Sequence, residues 1–145
     1  PPNRCAAVAR RLLNRQVLNG PVPIQNQSLD EPGKAWRSAL LEYFQIASSF
    51  EAQRDYTRRV PTVHVPTEVL EMFYDLGFDD ESPILSSEQR PLTVAEAELI
   101  AQYRSTLNRA WDFLNEPIPT EDCQTRPEWQ SLRVIAKQIV QQLVD

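Results

Sequence analysis

The chain has 145 residues, a length that suits one domain with enough buried surface to fold without a metal or a disulfide. Its 41% hydrophobic and 24% charged content excludes a disordered chain, and its net charge of −5 disfavours general binding to nucleic acid or to an anionic membrane. Its three glycines form neither Gly-x-Gly-x-x-Gly nor Gly-x-x-x-x-Gly-Lys, which excludes nucleotide enzymes built on those loops.

In chain order, Asn3 is placed to cap a first helix over Arg4 to Gln16. Cys5, Val8, Ala9, Leu12 and Leu13 share its apolar side, while Arg4, Arg11 and Arg15 share another stripe with Arg10 beside it. Asn19-Gly20-Pro21 stops this helix. A connector with the sequence Pro-Val-Pro follows, and its Val22, Ile24 and Leu29 are apolar enough to lie against the bundle. Asp30 or Ser28 is placed to cap the next helix.

The second helix is expected from Lys34 to Arg59, the longest run free of glycine and proline and the richest in aromatic residues. Trp36, Ala39, Leu40, Tyr43, Ala47 and Phe50 fall on one side of it, with Ile46 at one edge and Leu41 and Phe44 at the other. That apolar arc is well beyond the ~100° stripe of an ordinary surface helix. Such a helix is wrapped by neighbours, or it keeps an edge for a partner. Arg54, Arg58 and Arg59 crowd its last turns, where cations complement the helix dipole.

Val60 to Pro66 reads as a second extended connector whose prolines exclude a central strand. Thr67 is placed to cap a short helix over Glu68 to Leu76, with Gly77 as the residue that ends it. Glu68, Glu71 and Asp75 form an acidic stripe there, continued by Asp79, Asp80 and Glu81, and expected to be solvated. A loop with Ser82, Ser86 and Ser87 follows, and phosphate added there would deepen the negative field. Thr93 and Glu96 form a capping box that opens a helix running to about Asn115, with Ile100, Tyr103, Leu107, Ala110, Trp111 and Leu114 as its buried stripe. Pro117 and Pro119 mark a third connector. Thr125 and Glu128 form a second capping-box pattern, opening a last helix to about Val144 that buries Trp129, Leu132, Ala136, Ile139, Val140 and Leu143 and turns Val134 outward.

These elements make a single all-α domain over residues 1–145, a bundle of about five helices, four substantial and one short, joined by extended proline-containing connectors. No period recurs that would mark a repeat protein. No apolar run approaches the ~20 residues that span a bilayer, so no membrane insertion is expected.

Catalytic chemistry finds little support. His64 is the only histidine, and neither Cys5 nor Cys123 has a nucleophile context or zinc spacing. Two free thiols in a reducing compartment are the expectation, with a Cys5–Cys123 disulfide as the alternative. An intracellular protein, cytoplasmic or nuclear, fits that reading. The dense carboxylates lack the Asp-x-Asp-x-Asp-Gly spacing of a calcium loop, and no metal or cofactor is expected. A cofactor-free hydrolase using them would need a cleft that the sequence does not indicate.

The expected function is therefore a non-enzymatic protein-interaction domain of adaptor, scaffold or regulatory kind, its partner another protein or a second copy. Apolar contacts are expected from Leu41 and Phe44, and charged ones from Arg4, Arg11 and Arg15. The bland reading of that arginine stripe is a solvated face, or pairing within the fold with the acidic third helix. Trp36, Trp111 and Trp129 read as core residues, though tryptophan is also enriched at interface hot spots. The alternative function is nucleic-acid binding through the first helix, which predicts retention on a polyanion that weakens steeply with salt.

Overall fold

The computed structural model describes residues 33–79, 81–111 and 118–145. Among these the chain is all-α, with six α-helical segments and no strand. The expected helix over Arg4 to Gln16, the connector after it and the caps Asp30 and Ser28 lie outside the described residues.

Helix α1 (Lys34–Ala47) begins at Gly33, which occupies the N-cap position with a φ of 91° and supplies no side-chain cap. The glycine is required: a Cβ there would lie 2.5 Å from Pro91 Cδ and 2.8 Å from the Glu88 carbonyl oxygen. The expected single helix to Arg59 is interrupted after Ala47, and α2 (Phe50–Arg59) starts afresh. Ser49 adopts an extended conformation and its hydroxyl accepts the Ala52 N–H at 3.0 Å, a standard N-cap. The break places Phe50 on a different axis from the α1 face with which it had been grouped.

The side chain of Gln53 closes the break. Its Nε2 donates to the carbonyls of Ile46 and Ala47 at 3.1 and 3.2 Å, joining the Ser49 N–H on the first, at the end of α1 where no further helical turn supplies donors. Its Oε1 accepts from Trp129 Nε1 at 3.0 Å and from Gln124 Nε2 at 3.1 Å. All four hydrogen-bonding positions of a fully buried amide are filled.

A short turn over 60–63, closed by the Val63 N–H to the Val60 carbonyl, replaces the expected extended connector. Helix α3 (Val65–Phe73) starts two residues before the expected cap. Pro66 fits its first turn because the missing N–H is not needed there. His64 takes the N-cap position. Its Nε2 donates to the Ile118 carbonyl, and its Nδ1 lies 2.6 Å from the Thr67 hydroxyl. Thr67 thus orients the cap residue instead of being it. A π-helical turn, Tyr74–Phe78, follows, with Gly77 at φ 107°, in the positive-φ conformation that a helix-ending glycine supplies.

Helix α4 (Val94–Arg109) carries the expected capping box intact, with Thr93 Oγ1 accepting the Glu96 N–H at 3.1 Å and Glu96 Oε1 accepting the Thr93 N–H at 2.8 Å. The sequence pattern omits the third member. Arg37 of α1 grips Glu96 through two bonds of 2.9 Å and donates to the Pro91 carbonyl. The helix ends at Arg109 with Ala110 as its C-cap, short of the expected end near Asn115; residues 112–117 lie outside the description.

A helical turn not foreseen from sequence, α5 (Thr120–Cys123), precedes α6 (Pro127–Val144). The second capping box does not form. Thr125 bonds backward to the Asp122 carbonyl at 2.7 Å, and Arg126 stands at the N-cap position without a side-chain cap. Pro127 fixes the start of α6 one residue later than the pattern requires. Cys123 is a free, buried thiol, so no disulfide reaches it.

Helix α6 packs along α4 and α1, with α2, α3 and α5 closing the other side. Its buried side is Trp129, Leu132, Ala136 and Ile139, while Val140 and Leu143 are partly buried and Val134 is turned out, as the periodicity predicts. The core centres on rings of three helices: Tyr43 and Phe44 from α1, Phe73 from α3 and Tyr103 from α4. The Tyr43 hydroxyl donates to the Val69 carbonyl at 2.8 Å and lies 2.8 Å from the Tyr103 hydroxyl, which therefore donates to it. No helix among the described residues is long and apolar enough to cross a membrane.

Candidate functional site

A concavity lies where the π turn meets the C-terminal half of α4. Arg104 and Asn108 stand one turn apart on one face of α4, and Trp111 follows just beyond the end of the helix. Across from them stand Tyr74 and Phe78 of the π turn, then Asp79 and Glu81. These seven residues line an open groove of about 300 Å³. The Tyr74 hydroxyl donates to Asn108 Oδ1 at 2.6 Å, fixing the turn to the helix. The Tyr74 and Trp111 rings lie 6.3 Å apart at 45°. Phe78 forms the floor, stacked on Phe73 at 4.9 Å and met edge-on by Trp36. The Trp36 indole N–H is spent on the Leu76 carbonyl at 2.9 Å, which holds the same turn from behind.

A smaller depression of about 110 Å³ adjoins the groove and shares Phe78 and Arg104 with it. Its remaining wall includes Gly77, Ser82, Ile84, Arg90 and Leu92. Arg104 Nη2 donates to the Ser82 carbonyl at 2.8 Å. The Arg90 guanidinium lies directly against Gly77, where a Cβ would fall 2.3 Å from its Cζ. Two serine hydroxyls shape the loop: Ser86 Oγ accepts the Leu92 N–H and Ser87 Oγ accepts the Arg90 N–H. Phosphorylation of either would therefore have to displace a bond that folds the loop.

The charges are divided unevenly between the two depressions, with Arg104 common to both. Asp79 and Glu81 line the larger one and no carboxylate among the described residues lines the smaller, while Arg90 lines only the smaller. Asp75, on the same turn, has its carboxyl pushed above the usual range by partial burial and then by Asp79, as expected where acids crowd. The acidic stripe is not the uniformly solvated face that was expected. Glu68 is buried and Glu71 and Asp75 are half-buried, leaving Asp79 and Glu81 as the exposed members among the described residues.

Of the contact residues expected from sequence, Arg4, Arg11 and Arg15 lie outside the described residues. Leu41 is half-buried on α1. Phe44 requires correction: it has 0% exposure and packs against Tyr43, Phe73 and Tyr103, so it is a core residue and not a free edge. The arc of α1 is wide because helices wrap both of its flanks. The sequence reading missed the groove. The spacing of Arg104 and Asn108 along α4, with Trp111 soon after, was a usable signal, but Trp111 reads as a core residue in the sequence, and it is half-buried at the groove wall.

The described residues bring no nucleophile together with a base. Burial pushes the Cys123 thiol up to about 12, against a weaker opposing influence of Arg126. Both ring nitrogens of His64 are engaged, one with the Thr67 hydroxyl and the other with the Ile118 carbonyl. No group of three or more histidine, cysteine or carboxylate side chains among the described residues is arranged to hold a metal ion. Comparison with known proteins finds no matching family model, no matching curated protein and no matching solved structure.

Proposed function

We propose that this chain is a non-enzymatic protein-interaction domain, of adaptor, scaffold or regulatory kind, acting inside the cell and meeting its partner at the groove between the π turn and α4. The observation that carries this reading is the groove itself. A half-buried tryptophan and tyrosine stand over a phenylalanine floor inside a charged rim, the composition that interface hot spots favour.

Photo-crosslinking tests it. A benzophenone amino acid placed at exposed Glu81 is expected to yield a discrete adduct in cells, absent from the same probe at exposed Val134 and lost when Trp111→Ala is added. Light scattering on a size-exclusion column then decides whether the adduct joins a second copy or a different protein. Identical adduct patterns from the Glu81 and Val134 positions would remove the groove as the contact surface.

A further inference from the structure

Resting on that reading, we propose that the groove's occupant is an extended segment of a partner protein that carries a lysine or arginine for the larger depression and a carboxylate for the smaller one. The larger depression has aromatic walls, Tyr74 and Trp111, and an acidic rim, Asp79 and Glu81, with Arg104 on the side that it shares with the smaller one. Aromatic faces attract cations through the ring quadrupole, and carboxylates at the rim add to that attraction. A long basic side chain suits both parts, because its methylenes cover the rings while its charged head meets the acids.

The smaller depression is basic: Arg90 and Arg104 both line it, with no carboxylate in its wall among the described residues. Gly77 leaves room for the Arg90 guanidinium to lie against the turn. Guanidinium forks suit a carboxylate. The two depressions meet at Phe78 and Arg104, so one continuous occupant can fill both. An extended segment satisfies that continuity, since alternate side chains point to the same face. A wholly basic or wholly acidic segment would meet repulsion at one end.

The test selects short peptides from a phage-displayed random library on the immobilised full chain, and then measures synthetic copies by fluorescence anisotropy. The expected result is enrichment of sequences holding one basic and one acidic residue. Glu81→Lys should weaken them by about two- to fivefold, the range of an exposed charge contact, and Arg90→Glu by a similar factor. Exchanging the matching peptide charge should restore each loss. Both positions are exposed, and far-UV circular dichroism confirms that the variants fold. Enriched peptides that lose affinity with Trp111→Ala but ignore both charge reversals would overturn the two-charge occupant and leave the interaction reading standing. Peptides indifferent to Trp111→Ala as well, or no enrichment over an unrelated helical domain, would overturn both.

Discussion

Gln53 shows how one side chain can hold a helix junction. Its amide closes the end of α1 and receives the Trp129 indole and the Gln124 amide, all away from solvent. Replacement by leucine keeps roughly the volume and strands several of these groups. Each buried group left without a partner costs about 1–3 kcal/mol, so Gln53→Leu should lose about 3 kcal/mol or more in urea unfolding. Glu96 is the second such residue, at 2% exposure. The Arg37 hydrogen bonds, aided by the Thr93 backbone N–H, hold its carboxyl below the ordinary value of 4.5 against the opposing effect of burial. A carboxyl lowered in the folded state contributes stability that is complete above its unfolded value and is lost as pH falls through the folded one. Glu96→Gln keeps the capping geometry but removes the charge that Arg37 meets. It should cost about 2 kcal/mol at neutral pH. It should also flatten the loss of stability below pH ~4.5, read from urea midpoints across a pH series. An unchanged acid slope would mean that other carboxyls dominate it.

At the scale of elements, the helices were legible because their signals are local. Thr93 and Glu96 announced α4, the 3.6-residue spacing from Trp129 to Ile139 announced α6, and Gly77 announced the end of the turn after α3. The break between α1 and α2 was not legible, because neither glycine nor proline marks it. It depends on Gln53 reaching Trp129 and Gln124, 76 and 71 residues away. The failed capping box at Thr125 has the same cause in reverse: a local pattern yields to a hydrogen bond at the end of α5 and to a proline that sets the helix start. The two positive-φ glycines give a graded prediction. Alanine at Gly77 takes on backbone strain of about 1–2 kcal/mol, but the atoms it meets are the far end of the exposed Arg90 side chain, which can move. Alanine at Gly33 takes on similar strain and meets the Pro91 ring and the Glu88 carbonyl, which have little room to give. Gly33→Ala should therefore cost about 3 kcal/mol, clearly more than Gly77→Ala, in parallel thermal or urea unfolding. Equal losses would show that the α1–loop contact relaxes freely.

Across the whole molecule, the groove was hard to foresee because it joins segments that only the fold brings together. The face holding Arg104, Asn108 and Trp111 could be drawn from sequence, but that Tyr74 would stand opposite depends on the turn at Gly77. Phe44 was misplaced for a related reason, since a helical projection shows how wide an apolar arc is but not how many neighbours cover it. Its actual place ties the molecule together. Tyr43, Phe44, Phe73 and Tyr103 come from three helices, and α1 and α4 both pack on α6, so none of these helices keeps a closed core once another departs. This body should therefore unfold in one transition, with tryptophan fluorescence and far-UV circular dichroism giving coincident urea curves. Phe44→Ala should remove about 3–5 kcal/mol without changing the steepness of the transition. That is a large share of the ~5–15 kcal/mol that holds a domain together. Val134→Ala, at a position 50% exposed, should change it by no more than about 0.5 kcal/mol. Two separated transitions, or a Phe44→Ala variant as stable as the parent, would show that the aromatic cluster does not bind the helices into one unit.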